Sequence, residues 1–146
     1  MSDWQIENGW LCGWGGDEDV VIPETVKGQP VTKLCEKLFK GRQDVRSVTI
    51  PDSVEIIAMS AFCSCDNLAN VTIGNRVRII GGYAFYGCYN LTNIVIPNSV
   101  VTIGECAFQG CGLTKVVIPD SCTSIEHDAF RCLKLKSVTM PESGIT

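Results

Sequence analysis

Apolar residues return along this chain with a fixed rhythm. Phe39, Phe62, Phe85, Phe108 and Phe130 stand 23, 23, 23 and 22 residues apart. Each follows a small or apolar residue: Leu38, Ala61, Ala84, Ala107 or Ala129. Ile50, Ile73, Ile96 and Ile118 keep the same step, and a turn-former comes directly after each: Pro51, Gly74, Pro97 or Pro119. Ile22-Pro23 and Met140-Pro141 repeat that junction nearer the two ends. A registered period of this length is the mark of stacked repeats.

The stretch from Leu91 to Cys111 shows what one unit does. Ile94 and Ile96 alternate with polar or outward positions, which predicts a short half-buried strand. Pro97 ends the strand because it has no N–H to donate. Asn98 and Ser99 can bond their own backbone and so favour a turn. Val100, Ile103, Ala107 and Phe108 then return to the core through a short helical or irregular segment, and Gly110 helps to close the coil. No single unit can bury its own apolar edge, but stacked units can, with Leu over Leu, Ile over Ile and Phe over Phe. Parallel strands in such a stack lie about 4.8 Å apart.

These residues resemble the BspA-like (Treponema pallidum-type) leucine-rich repeat family. Its unit reads approximately L-x-x-[VI]-x-[IL]-P-x-[ST]-[VL]-x-x-I-G-x-x-A-F-x-x-C, and residues 91–111 match it nearly throughout. The resemblance covers about residues 20–146. Departures are Gly74 for proline, Ala58 and Glu126 at the glycine position, and a one-residue shortening before Cys132. Residues 22–31 look like the longer first unit common in the family. The expected fold is thus a right-handed leucine-rich-repeat-like solenoid with a parallel β-sheet on one face and short helical or irregular segments on the other. The resemblance also implies protein binding and an association with cell-surface adhesion.

The ends of such a stack need caps, since an open stack exposes a cross-section of core. Residues 1–19 are expected to form a capping β-hairpin before the repeats of residues 20–146. Trp4-Gln5-Ile6 and Trp10-Leu11-Cys12 flank Glu7-Asn8-Gly9, and Asn-Gly between apolar runs favours a two-residue hairpin turn. Gly13, Gly15 and Gly16 then supply a second turn. Trp4, Trp10 and Trp14 either pack as part of the cap or form an aromatic platform for sugar or peptide. At the other end Leu135–Pro141 begins a further strand. An open edge there favours association, so a homodimer through the C-terminal end is expected.

Composition narrows the function. The chain has 146 residues, 45% hydrophobic and 19% charged, with a net charge of -4 and no lysine or arginine cluster. That balance argues for a folded domain and against nucleic acid as the main ligand. No run is long enough to cross a bilayer, so membrane insertion is not expected. Met1-Ser2-Asp3-Trp4 lacks a secretory signal, which points to the cytoplasm. A chain trimmed behind a signal would instead belong on the cell surface or outside the cell. Nine cysteines leave at least one unpaired in a monomer and, with no signal, favour reduced thiols.

Candidate chemistry is sparse. Cys65, Cys88, Cys111 and Cys132 occupy equivalent positions and read as a ladder of buried thiols. Disulfides between neighbouring coils are a second reading, and zinc a third, disfavoured because a ladder spreads ligands along a line. Cys63-Ser64-Cys65 does not match the usual zinc spacing. His127 is the only histidine, aligned with Glu105 and expected to pair with it at the surface. A Cys106-His127 dyad is conceivable but has no oxyanion hole. Asp17-Glu18-Asp19 lacks the ligand spacing of a calcium loop. No phosphate loop or nucleophile elbow is present. Catalytic, cofactor and metal residues are therefore not expected.

The sheet surface remains. Thr49, Thr72, Val95, Val117 and Thr139 should point outward as one continuous stripe, flanked by Asn70, Asn93, Lys115 and Lys136. Threonine and valine also favour strands for their own sake. The expected function is a non-catalytic scaffold binding an unknown protein partner through this face. The alternatives are a structural or self-assembling repeat protein, or a fragment of a surface adhesin.

Overall fold

The computed structural model describes residues 4–13 and 16–142. Among these the chain forms fourteen short strands and no helix. β1 (Gln5–Glu7) and β2 (Trp10–Gly13) make an antiparallel hairpin, followed by β3 (Asp19–Val21). A second hairpin joins β4 (Thr25–Val26) to β5 (Gln29–Pro30), and β6 (Lys33–Leu34) follows. The repeating coils then supply β7 (Ser47–Thr49), β8 (Ile56–Ile57), β9 (Asn70–Thr72), β10 (Ile79–Ile80) and β11 (Thr102–Ile103). The last three are β12 (Lys115–Val117), β13 (Ser124–Ile125) and β14 (Ser137–Thr139).

Stacking gives the coil two sheet faces. One face carries β3-β7-β9 and, separately, β12-β14, all parallel. The other is a seven-stranded sheet, β1-β2-β6-β8-β10-β11-β13, parallel except for the β1–β2 hairpin. The segments expected to be short helices or irregular thus contain the second sheet. Their backbone groups bond the neighbouring coil instead of their own: Arg78 N donates to Glu55 O at 2.8 Å, Val101 N to Arg78 O at 2.8 Å, and Thr123 N to Val101 O at 3.0 Å. A helix would have turned those groups inward along one coil.

The third side of each coil is a turn, yet it too is laddered. Phe39 N, Phe62 N, Phe85 N and Phe108 N donate to Ala61, Ala84, Ala107 and Ala129 O at 2.6, 2.7, 2.7 and 2.8 Å. One non-glycine residue per coil takes a positive φ just before the Ala-Phe step (Leu-Phe in the first): Lys37 (60°), Ser60 (60°), Tyr83 (58°), Cys106 (55°) and Asp128 (55°). Inside this side the phenylalanine rings form one column. Successive centroids lie 5.1, 5.1, 5.2 and 5.2 Å apart with planes 10°, 4°, 6° and 5° from parallel. The backbone spacing sets that distance, and a centroid separation of this size with parallel planes corresponds to offset stacking. Phe39, Phe62, Phe85 and Phe108 are fully buried. Gly104 allows one especially close approach, since a Cβ there would lie 2.5 Å from Gly82 N.

The N-terminal hairpin is built into the stack. Asn8 and Gly9 both have positive φ, 51° and 83°, as a type I′ turn requires. Gly9 O accepts from Thr32 N (2.9 Å) and Lys33 N (3.0 Å), just as Thr32 O accepts from Glu55 N and Ile56 N. The hairpin therefore ends in a zeroth coil. β3 crosses the expected boundary between residues 19 and 20 and pairs with β7. Cys12 and Cys35, 23 residues apart and at equivalent positions, form a disulfide with Cα atoms 5.0 Å apart. Reduced cysteines were the expectation; stacking instead places these two side by side. Closing a loop of that length stabilises the fold by about 3 kcal/mol in a chain-entropy treatment. The step from Ile22 to Ile50 is longer than the others because β4 and β5 insert there, turning through Lys27 and Gly28 at φ 51° and 79°.

Serine hydroxyls tie one corner. Ser99 Oγ donates to Val77 O and Ser121 Oγ to Val100 O, both at 2.7 Å. The equivalent Ser53 follows the coil that carries the inserted hairpin, and its buried hydroxyl has no partner among the described residues. Replacing Ser121 with alanine should cost about 1 kcal/mol, whereas Ser53→Ala should be neutral or stabilising; urea unfolding of the two variants reads the contrast. Phe85→Ala, which breaks the column between two rings, should cost about 3–5 kcal/mol by the same assay. A loss below about 1 kcal/mol would remove the column from the core.

Candidate functional site

All nine residues singled out on the first face are exposed: Thr49, Asn70, Thr72, Asn93, Val95, Lys115, Val117, Lys136 and Thr139. Their backbone does not run as one sheet, however. No strand forms over residues 92–96, so β9 and β12 are unjoined and the expected continuous stripe is carried on two sheets. The interruption lies beside the point where the repeat loses a residue. Cys65-Asp66-Asn67-Leu68 and Cys88-Tyr89-Asn90-Leu91 become Cys111-Gly112-Leu113. In the full-length corners Asn67 and Asn90 donate to Gln43 O and Asp66 O at 2.7 Å, clamping coil to coil. The short corner has no such amide, and it cuts so close that a Cβ on Gly112 would lie 2.5 Å from Tyr89 O.

A groove of about 580 Å³ opens over the interruption. Ile73, Ile94, Ile96, Pro97 and Pro119 supply much of its apolar lining; Val95 and Val117, 80% and 61% exposed, line it too. Asn75, Asn93, Asn98 and Lys115 add polar groups. Four of the nine predicted residues, Asn93, Val95, Lys115 and Val117, thus share one site. Asn70 belongs to a second, more polar cavity of about 510 Å³ with Glu18, Asp19, Arg46, Ser47, Asn67 and Ala69. Ion pairing and hydrogen bonding occupy that cavity's charges: Arg46 Nε lies 3.7 Å from Glu18, and Ser47 Oγ donates to Asp19 at 2.8 Å. Thr49, Thr72, Lys136 and Thr139 line neither. The sequence reading missed the proline and isoleucine lining, whose signal was the missing residue at Gly112.

The thiol ladder is structural in geometry. Cys65, Cys88, Cys111 and Cys132 Sγ donate to the carbonyls of Phe39, Phe62, Phe85 and Phe108 at 3.0, 3.1, 3.1 and 3.0 Å. Burial pushes the Cys65 thiol up to about 12. The Cys111 side chain, by hydrogen bonding, and then burial raise Cys88 as well. Among the described residues no three His, Cys, Asp or Glu side chains converge as metal ligands. No helix there is long and apolar enough to cross a membrane.

His127 differs from the expected arrangement. Its Nε2 lies 3.0 Å from Asp128 Oδ2, which also meets Arg131 at 3.7 Å, while Glu105 uses its backbone N–H to bind Glu126. Asp128 wins over Glu105 because it is the sequence neighbour and sits in the positive-φ turn. Cys106 is buried, and a hydrogen bond to it raises the Tyr83 phenol above its ordinary value, with the Glu105 charge adding to the shift. Trp4 packs on the core and Lys33 Nζ sits 5.2 Å from the Trp10 ring, while Trp14 and Gly15, named for the platform and the second turn, lie outside the described residues. On the turn side, Tyr86, Tyr89, Gln109, Arg131 and Leu133 line a small slot of about 330 Å³.

Comparison with known proteins supplies the context. The BspA type leucine rich repeat region matches residues 32–146 in six copies. The crystal structure of a T. pallidum leucine-rich repeat protein is 33% identical, with a TM-score of 0.88 over 97% of this chain and 68% of its own. A leucine-rich repeat protein from Bacteroides ovatus is 31% identical, with a TM-score of 0.84 over 98% of this chain and 40% of that one. The pneumococcal vaccine antigen PcpA shares the fold at 21% identity and a TM-score of 0.68, covering 84% of this chain and 30% of its own. The chain therefore spans about two thirds of the first and less than half of the other two. No match is found among curated proteins.

Because the ladder thiols are buried and donating, iodoacetamide under native conditions should modify half-buried Cys132 ahead of Cys65, Cys88 and Cys111, which should react only on unfolding. Peptide mapping after timed labelling measures this. The raised Cys65 pKa also fixes a pH direction. An acid whose ionisation is opposed by folding stabilises the fold below its ordinary value of 9.0, and that contribution is lost as pH rises toward 12.

Proposed function

The chain belongs to the BspA type leucine-rich repeat family, and from that premise we propose a non-catalytic scaffold that binds a protein partner in the groove over residues 92–96. The observation that carries this reading is the pair of strongly exposed valines, Val95 and Val117, set over buried isoleucines and prolines in a single groove. Exposed apolar side chains in a concave site with a few polar groups around them are what a partner's side chain can desolvate. Asn75, Asn93, Asn98 and Lys115 give that partner orientation. The non-catalytic reading draws support from His127, which is exposed and held beside the Asp128 carboxylate, and from the buried thiol of Cys106. The Cys12–Cys35 disulfide supports a cell-surface or secreted location over the cytoplasm.

The test is capture of a partner by the immobilised chain, compared with a Val95→Glu, Val117→Glu double variant. Both side chains are exposed, so circular dichroism should not change. Partner capture should fall at least about tenfold, which corresponds to 1.4 kcal/mol or more. Undiminished capture would move the binding surface elsewhere.

Self-association is a second reading, favoured by the last described strand. Every residue of β14 is exposed, Val138 among them, and Met140 directly after it is exposed as well. A homodimer through that end would give a concentration-dependent sedimentation coefficient that Val138→Lys abolishes.

A further inference from the structure

The three tyrosines of this chain all fall within one coil, at positions 83, 86 and 89. The architecture does not call for them. Backbone bonds fix the alignment: Ser64 N donates to Tyr86 O, Gly87 N to Gln109 O, and Gly110 N to Arg131 O. The column through Tyr86 therefore reads Cys63, Tyr86, Gln109, Arg131, and the coils on either side fold without an aromatic residue at this place. At the position of Tyr89 the preceding coil has Asp66. Tyrosine at these places is a local choice of this coil.

The missing residue at Gly112 makes the choice visible from solvent. The next coil has nothing to lay over Tyr89, whose side chain is left 64% exposed. Leu133, one coil further, is fully exposed, and both side chains line the slot. Gly87 and Gly110, at φ 72° and 77°, also line it and add no side chain that would fill it. Gln109 and Arg131 stand at its wall beside Tyr86.

We propose that this slot is a binding site for a neutral saccharide. The flat apolar faces of Tyr86 and Tyr89, with Leu133 as a further apolar group, suit the C–H face of a sugar ring, which is apolar and rigid. Sugar hydroxyls both donate and accept. The slot answers with groups that do the same, the two phenols and the Gln109 amide, and with the donor Arg131. Asp128, 3.7 Å away, already offsets the Arg131 charge, which removes the reason for an acidic sugar. A proline-rich peptide also seats on aromatic ridges, but its carbonyls only accept, leaving the acceptors of the slot unused. At about 330 Å³ the site is at the small end of ligand pockets and fits a short oligosaccharide segment.

Isothermal titration of the full chain with cello-, chito-, manno- and xylotetraose, and with a decaproline peptide, tests this. Two variants copy residues that neighbouring coils carry at the same places: Tyr86→Gln, after Gln109, and Tyr89→Asp, after Asp66. Both should fold with an unchanged far-ultraviolet spectrum. At least one sugar should bind at millimolar concentration, and each variant should weaken it at least tenfold, while Val95→Glu leaves it unaltered. No sugar binding, sugar binding indifferent to both variants, or decaproline as the tighter ligand would each overturn the proposal.

Discussion

A backbone spacing of about 5 Å between coils governs everything else in this molecule. The seven-stranded sheet, the turn-side ladder and the Cys12–Cys35 bridge all repeat it. Hydrogen bonds between coils set that distance, and the side chains then have no freedom but to stack on their equivalents. This is why the phenylalanines lie nearly parallel, although isolated aromatic pairs favour edge-to-face arrangements as readily. It also explains why the cysteine thiols find carbonyl partners. Each Sγ sits one coil above a phenylalanine whose carbonyl has a lone pair to spare. Buried polarity is satisfied by translation along the stack.

Much of the fold was legible because translation leaves a trace in sequence. Phe39 to Phe130, the Ile-Pro junctions and the Asn8-Gly9 turn each specify their own local geometry. The second sheet was not legible. Its strands are two residues long, as in Ile79–Ile80, and too short to show alternation against the surrounding turn residues. The disulfide had a signal that went unused. Cys12 and Cys35 are separated by one repeat period, but the coil that holds Cys12 lacks the repeat's other landmarks.

The surface was legible by halves. Alternation placed Val95 and Val117 outward, because a buried neighbour beside each, Ile96 and Val116, fixes which side faces solvent. It said nothing of the gap between β9 and β12, since pairing depends on how neighbouring corners fit. Only the count from Cys111 to Leu113 carries that information. The partner of His127 was misjudged for a related reason: alignment along the stack favoured Glu105, but the backbone turn at Asp128 brings a nearer carboxylate.

Gly112 has a wider consequence. Faces and core of this coil tolerate no change in length, because any slip would misalign every ladder at once. Corners do, and the one-residue deletion at Gly112 disturbs neither the ring column, Phe108 to Phe130, nor the second sheet. It leaves hollows on two sides of the same coil. Insertions and deletions at such bends are then a route by which an array of near-identical units can acquire distinct recesses, one unit at a time, with the ring column kept in register.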